Sequence, residues 1–168
     1  MTKIESKGYS IFFETSGFSN LNCKKFENIV ILVDENTKQY CLPILLEECS
    51  FLEDALIIQI NSGEENKNIK TCNTIWECLL EHNFNRNSLM INLGGGVIGD
   101  IGGFVASTYK RGINFIQIPT TLLAMSDASV GSKLGINFMH NKNQIGVYND
   151  PYQVLINIDF LTTLPKNQ

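Results

Sequence analysis

The chain has 168 residues, of which 43% are hydrophobic and 18% charged, and its formal net charge is -4. That length suits one domain with a core that needs no disulfide or metal staple, and the ordinary apolar content excludes intrinsic disorder. A net-negative chain without a basic cluster argues against nucleic acid as the main partner. No apolar run reaches the roughly 18 residues of a membrane span, and the N-terminus lacks the apolar core of a signal peptide, so a cytoplasmic location is expected.

In chain order, residues 8–13 are a candidate edge strand. Residues 29–33, 56–60, 89–93 and 114–118 are Ile-, Leu- and Val-rich with little polar alternation, and 154–158 is a weaker run of the same kind. Strands buried on both faces have that composition, which predicts a parallel sheet. A helix is expected over 38–48, with Pro43 tolerable only in its first turn. Another carries Ile69, Cys72, Ile75, Trp76, Leu79 and Leu80 on one face, with Ser62-Gly63-Glu64-Glu65 as its capping box. A third is expected over 101–109. Alternating strands and helices imply βαβ units in a layered, Rossmann-like α/β domain: a mainly parallel sheet flanked by helices. The segment from Phe160 to Pro165 starts a helix or turn, and its apolar residues lead us to expect further chain beyond it. Cys23, Cys41, Cys49, Cys72 and Cys78 form no CxxC pair and are expected to be reduced thiols rather than a zinc site.

Gly94-Gly95-Gly96-Val97-Ile98-Gly99-Asp100 follows the strand at 89–93 and fits G-x-G-x-x-G. Glycines there let the backbone approach a phosphate, whose charge the following helix start can hold. A purely structural glycine turn is the other reading. The position about 20 residues on is Gln117, not an acid. Asp34 and Asn36 follow the strand at 29–33, so Asp34 either contacts a ribose or caps a helix. Glu64 and Lys67 are either a surface ion pair or a ligand edge. Thr120, Thr121, Asp127, Lys133, Asn137, Lys142 and Asn143 lie among small residues and could hold a hydroxylated, phosphorylated molecule, or could be a solvated loop. Arg111 is a phosphate clamp or a solvent-facing charge. His82 suits a helix end, and neither it nor His140 has the company of a metal ligand.

The pieces GGGVIGDIGGFVASTYKRG, FIQIPTTLLAMSDASVGSKLGINF, KNQIGVY and VLINIDFLTTLP closely resemble the 3-dehydroquinate synthase family, and LVDENT and SGEENKNI are similar to its earlier nucleotide-contacting segments. The resemblance implies an NAD-binding N-terminal domain over 1–168, followed in the family by a helical domain that holds a divalent metal, zinc or cobalt. The family's metal ligands, one Glu and two His, come after the TLP segment, so none is expected here, and the chain alone is expected to be inactive. The implied substrate is a phosphorylated sugar acid, 3-deoxy-arabino-heptulosonate 7-phosphate, converted to 3-dehydroquinate and phosphate in the shikimate pathway.

By matching positions, the resemblance implies cofactor contacts from Asp34, Asn36, Glu64, Lys67, Gly95, Gly96, Asp100, Thr120, Thr121, Lys133, Lys142, Phe160 and Thr163. It implies substrate contacts from Asp127, Lys133 and Asn143, and a contact from Arg111 to the substrate phosphate of a neighbouring subunit in a homodimer. Two positions depart from the family pattern: Ser126 stands for Val, and Ser132 for Gly, where serine could restrict the backbone. Other readings are a related sugar-phosphate cyclase, a metal-dependent alcohol dehydrogenase of similar architecture, and a non-catalytic NAD-binding remnant.

Overall fold

A computed structural model describes residues 2–6, 8–14, 18–21 and 23–165. Among them, strands β1 (Thr2–Glu5), β2 (Ser10–Glu14), β3 (Ile29–Asp34), β4 (Leu56–Ile60), β5 (Leu89–Gly94), β6 (Asn114–Pro119) and β9 (Gln153–Asn157) form one sheet in the order β1-β2-β9-β6-β5-β3-β4. Every pairing is parallel except β1 with β2. The helices are α1 (Glu35–Tyr40), α2 (Leu42–Glu48), α3 (Ile69–Glu81) and α4 (Gly96–Thr108). Strands β7 (Lys133–Phe138) and β8 (Asn141–Tyr148) make a separate hairpin.

The pleat sends alternate side chains to two cores. Ile31, Val33, Ile91, Leu93, Ile116 and Ile118 pack with Leu42 and Leu45 of α2. Val30, Leu32, Met90 and Phe115 pack with Cys72, Ile75 and Leu79 of α3 and with Ile98, Ile101 and Val105 of α4. Both faces being covered explains the unbroken apolar runs. The chain leaves β3 for β4 at the sheet edge and then returns to place β5 on the other side of β3. That reversal is a topological switch point at the C-terminal ends of β3 and β5, the place where α/β sheets bind ligands.

Several sequence expectations are corrected. The strand near 8–13 is not an edge, because β1 lies outside it and β2 pairs with β9. The helix expected over 38–48 is two helices broken at Cys41, with Pro43 in the first turn of α2. The α3 N-cap is Asn68, whose side chain accepts from Thr71 N at 3.1 Å, and Glu64–Asn66 is a separate 3-10 turn. The third helix starts earlier than 101, at Gly96. Its glycines are needed for packing. A Cβ at Gly102 would overlap the Asn92 side-chain oxygen, and one at Gly103 would overlap Leu134 of β7. Part of the polar stretch is not loop but hairpin. Met139 and His140 turn it, both with positive φ (47° and 66°), which matches the primed turns that suit strand twist.

Gly102→Ala should therefore destabilise the chain by about 1–3 kcal/mol, the usual cost of overpacking. Urea denaturation of the two proteins measures it.

Candidate functional site

Because the sheet is parallel, one edge collects the residues that follow its strands. Asp34 ends β3, Glu64 and Lys67 follow β4, Gly95 and Gly96 follow β5, Thr120 and Thr121 follow β6, and Phe160 and Thr163 follow β9. Gly95 is the N-cap of α4 and offers no capping side chain, so no side chain of the cap competes for the amides of the helix's first turn. A Cβ on Gly95 would lie 3.3 Å from Thr121, and one on Gly96 would lie 3.4 Å from Ala128. The segment after β6 thus borders the glycine turn closely.

One turn further along α4, Asp100 forms an ion pair with Lys67, whose Nζ also donates to Asn143 Oδ1 at 2.6 Å. The two side chains of the pair are only 5% and 18% exposed, against 45% and 66% for the surface pair Lys3–Glu5, which contributes little. Burial pushes the Asp100 carboxyl up from its ordinary range, while the Lys67 ammonium pulls it back and nearby Glu64 adds to the rise. Asp100, Lys133, Leu134, Gly135, Asn143, Gly146, Val147 and Tyr148 line a cavity of about 350 Å³. Asn137 joins the hairpin to this cluster through bonds to Glu64 and Asn143.

Glu64 and Lys67 therefore do not pair with each other. Lys67, Asp100, Lys133 and Asn143 come together, with Glu64 attached through Asn137. Asp127 and Lys142 are exposed and do not line that cavity. Asp34 is occupied as a helix cap, accepting from Thr37 N at 2.7 Å in a capping box, with Asn36 exposed beside it. Thr120 is buried, its N–H donating to Gly94 O at 3.1 Å. Phe160 is wholly buried against Phe18, ring centroids 5.7 Å apart, so its side chain is core rather than pocket wall. The Thr163 hydroxyl is held by Phe160 O at 2.7 Å and lies 3.5 Å from Cys41 Sγ.

Arg111 lies beyond the far end of α4. A helix of 13 residues is about 20 Å long, so Arg111 and Gly95 of one chain do not share a small ligand. Arg111 lines an open depression of about 540 Å³ with Asn85, Arg86, Asn87 and Lys110. Arg86 Nε donates to Lys110 O at 3.2 Å, across a turn in which Lys110 and Arg111 both hold positive φ. Ser132 does occupy a left-handed backbone, φ 61°, the conformation glycine takes most easily. Its hydroxyl donates to Asp150, and its carbonyl accepts from Asn149 N at 3.0 Å. His82 caps the end of α3, its Nδ1 2.9 Å from Cys78 O. Burial pushes the Cys23 and Cys72 thiols up to about 12 and Cys49 to about 11, so they stay protonated. Among the described residues no helix is long and apolar enough to cross a membrane.

Sequence reasoning missed the amides under α4. Asn92 is buried in β5 with neither side-chain atom partnered, and Gln117 beside it on β6 donates to Gly99 O at 3.0 Å. One polar residue inside each of two apolar strands was the available signal.

Replacing Lys67 by Ala removes one member of a buried pair and should cost about 3 kcal/mol at pH 7, the lower end for such a loss because Asp100 keeps some water contact. The loss also pushes Asp100 further up. A carboxyl with a raised folded pKa holds its proton more tightly in the folded state. It therefore favours folding at low pH and loses that contribution as pH rises through the raised value. The Lys67→Ala penalty, followed by urea denaturation, should shrink as pH falls from 7 to about 4.

Residues 57–168 match the family model described as 3-dehydroquinate synthase N-terminal. A 3-dehydroquinate synthase from Parabacteroides distasonis is 45% identical over 147 residues, 88% of this chain and 41% of that protein. A solved 2-deoxy-scyllo-inosose synthase complexed with carbaglucose-6-phosphate, NAD+ and Co2+ superposes with TM-score 0.86 at 26% identity, covering 95% of this chain and 46% of that one. A 2-epi-5-epi-valiolone synthase from Streptomyces hygroscopicus subsp. jinggangensis 5008, with NAD+ and Zn2+ bound, gives 0.82 at 27% identity, covering 98% and 47%. The chain spans less than half the length of these relatives. With the matched segment running from β4 through the glycine turn, the Lys67–Asp100 cluster and the hairpin, the chain belongs to the 3-dehydroquinate synthase family.

Proposed function

We propose that residues 1–168 form the NAD-binding domain of a cytoplasmic 3-dehydroquinate synthase, acting on 3-deoxy-arabino-heptulosonate 7-phosphate. The observation that carries this reading is the shared edge: the glycine turn capping α4 and the largely buried Lys67–Asp100 pair sit at the C-terminal side of one parallel sheet, where Asn143 of the hairpin reaches the same ammonium. Identity favours this substrate over those of the related cyclases, 45% against 26% and 27%.

The residues present fit a dinucleotide. Gly95 and Gly96 leave the first-turn amides of α4 bare for a pyrophosphate, and the macrodipole favours its charge. Asn36 is open at the end of β3 for the adenosine side, and Asp34 contributes there only in part because it caps α1. Lys67 presents an ammonium fixed by Asp100. Bound there, NAD would accept a hydride from a substrate hydroxyl carbon and return it later. Lys133 and Asn143, which line the cavity beside Asp100, orient the substrate's hydroxyls and carboxylate in this proposal, and exposed Asp127 and Lys142 join once a ligand is bound. Loss of a hydride makes a neighbouring proton acidic, so a group here need only hold that proton as phosphate leaves.

Among the described residues no group of three or more His, Cys, Asp or Glu could hold a metal. In this proposal the divalent metal is held by residues outside 1–168. Arg111 serves the phosphate in the site of a second copy, because its own crevice lies a helix length away.

Calorimetric titration with NAD should show one site per chain, and Lys133→Ala should weaken that affinity several-fold while abolishing binding of the sugar phosphate. With substrate, NAD and zinc, the chain alone should release no phosphate. Absence of NAD binding overturns the cofactor reading, and sustained phosphate release overturns the assignment of the metal site elsewhere.

A further inference from the structure

We propose that Asn137 is a positioning residue of this site, its carboxamide fixing Asn143 and the segment from Glu64 to Lys67 against one another. The proposal rests on the reading of the cluster as a ligand cleft, and its geometry is local. The β7–β8 ladder pairs Ile136 with Ile145 and Phe138 with Asn141, so Asn137 faces three residues, 142–144, across a bulge. Bulges re-aim side chains beside active sites. Here the Asn137 side chain takes the place of the missing rung. Its Oδ1 accepts from Asn143 N at 2.9 Å, while its Nδ2 donates to Glu64 Oε1 at 2.9 Å and to Glu64 O at 3.1 Å. Its backbone N–H donates to Lys67 O at 2.8 Å.

Asn143 holds a left-handed backbone, φ 53°, and from that position its Oδ1 accepts from Lys67 Nζ. Lys67 in turn pairs with Asp100. Through its side chain and its backbone, Asn137 thus ties the loop after β4 to the hairpin and, by way of Lys67, to α4. The chemistry requires an amide, because the position needs two donors and an acceptor in one planar group. A carboxylate of the same shape has no donor and would face the Glu64 carboxylate. Asn137 lines no part of the cavity and acts through Asn143 and Lys67.

The test compares the unmodified chain with Asn137→Ala and Asn137→Asp. NAD affinity is measured by calorimetry, the Asp100 carboxyl by 13C NMR titration, and folding by circular dichroism. The charged groups facing Asp100 are Lys67 and Glu64, with Lys133 on the same cavity wall. Both variants should raise the Asp100 midpoint, because Lys67 is freed to withdraw, and should weaken NAD binding about tenfold at neutral pH, the scale of one lost charge-assisted bond. Relative to the unmodified chain, Asn137→Asp should regain affinity as pH falls into the carboxylate range and a proton is shared with Glu64, whereas Asn137→Ala should not. Folded variants with an unmoved Asp100 midpoint, or with a moved midpoint and unchanged NAD affinity, overturn the proposal. If Asn137→Ala does not fold, the isosteric Asn137→Asp carries the comparison. If the unmodified chain binds no NAD, the cofactor reading fails, and the Asp100 midpoint alone decides for or against the role of Asn137.

Discussion

A lysine ammonium and an aspartate carboxylate, Lys67 and Asp100, meet where almost no water reaches the lysine. Lys67 follows β4, at one edge of the sheet, and Asp100 stands on α4. Their contact fixes the loop after β4 against the helix that begins with the glycine turn. Asn143 adds the hairpin to the same ammonium. An uncompensated charge in this position is costly, so each segment constrains the other two. Helix α4 itself carries both the uncapped glycine turn at Gly95 and Gly96 and, about a turn on, Asp100 with its cavity, and the contact with Lys67 sets the loop after β4 beside them.

The sheet supplies the frame for that contact. Its parallel strands put the loops that follow them on one edge, and the return from β4 to β5 makes the switch point there. The helix α4 lies close because its glycines face Asn92, Gln117 and Leu134. The glycine-rich run therefore has two jobs. Gly95 and Gly96 free the backbone at the helix start, while Gly99, Gly102 and Gly103 bring the helix body down onto the sheet and the hairpin.

Much of this was legible in the sequence. The runs around Ile31, Ile91 and Ile116 read correctly as doubly covered strands, whereas the run around Ile58 is a strand at the sheet edge with Gln59 exposed. The glycine turn was legible from its place between a strand and a helix. What was not legible depends on distant segments meeting. Lys67 finds Asp100 33 residues away and Asn143 76 away, and no local pattern announces either partner. The hairpin was hidden because its exposed strand β8 is polar, and its bulge breaks the alternation that marks strands. Phe160 looked like a pocket residue by family position, yet its ring completes the core beside Phe18. Ser132 adopts the glycine-like conformation that its place in the family pattern implies, with hydrogen bonds to Asp150 and Asn149.

Hydrogen exchange of the chain with and without NAD tests the central claim most directly, since it maps the ligand on the fold. Protection is expected in residues 94–100, 62–67 and 120–121, with none in the turn at 110–112 at the opposite end of α4. Protection confined to that far turn, or spread without regard to the strand ends, would contradict a shared crevice built on the Lys67–Asp100 contact.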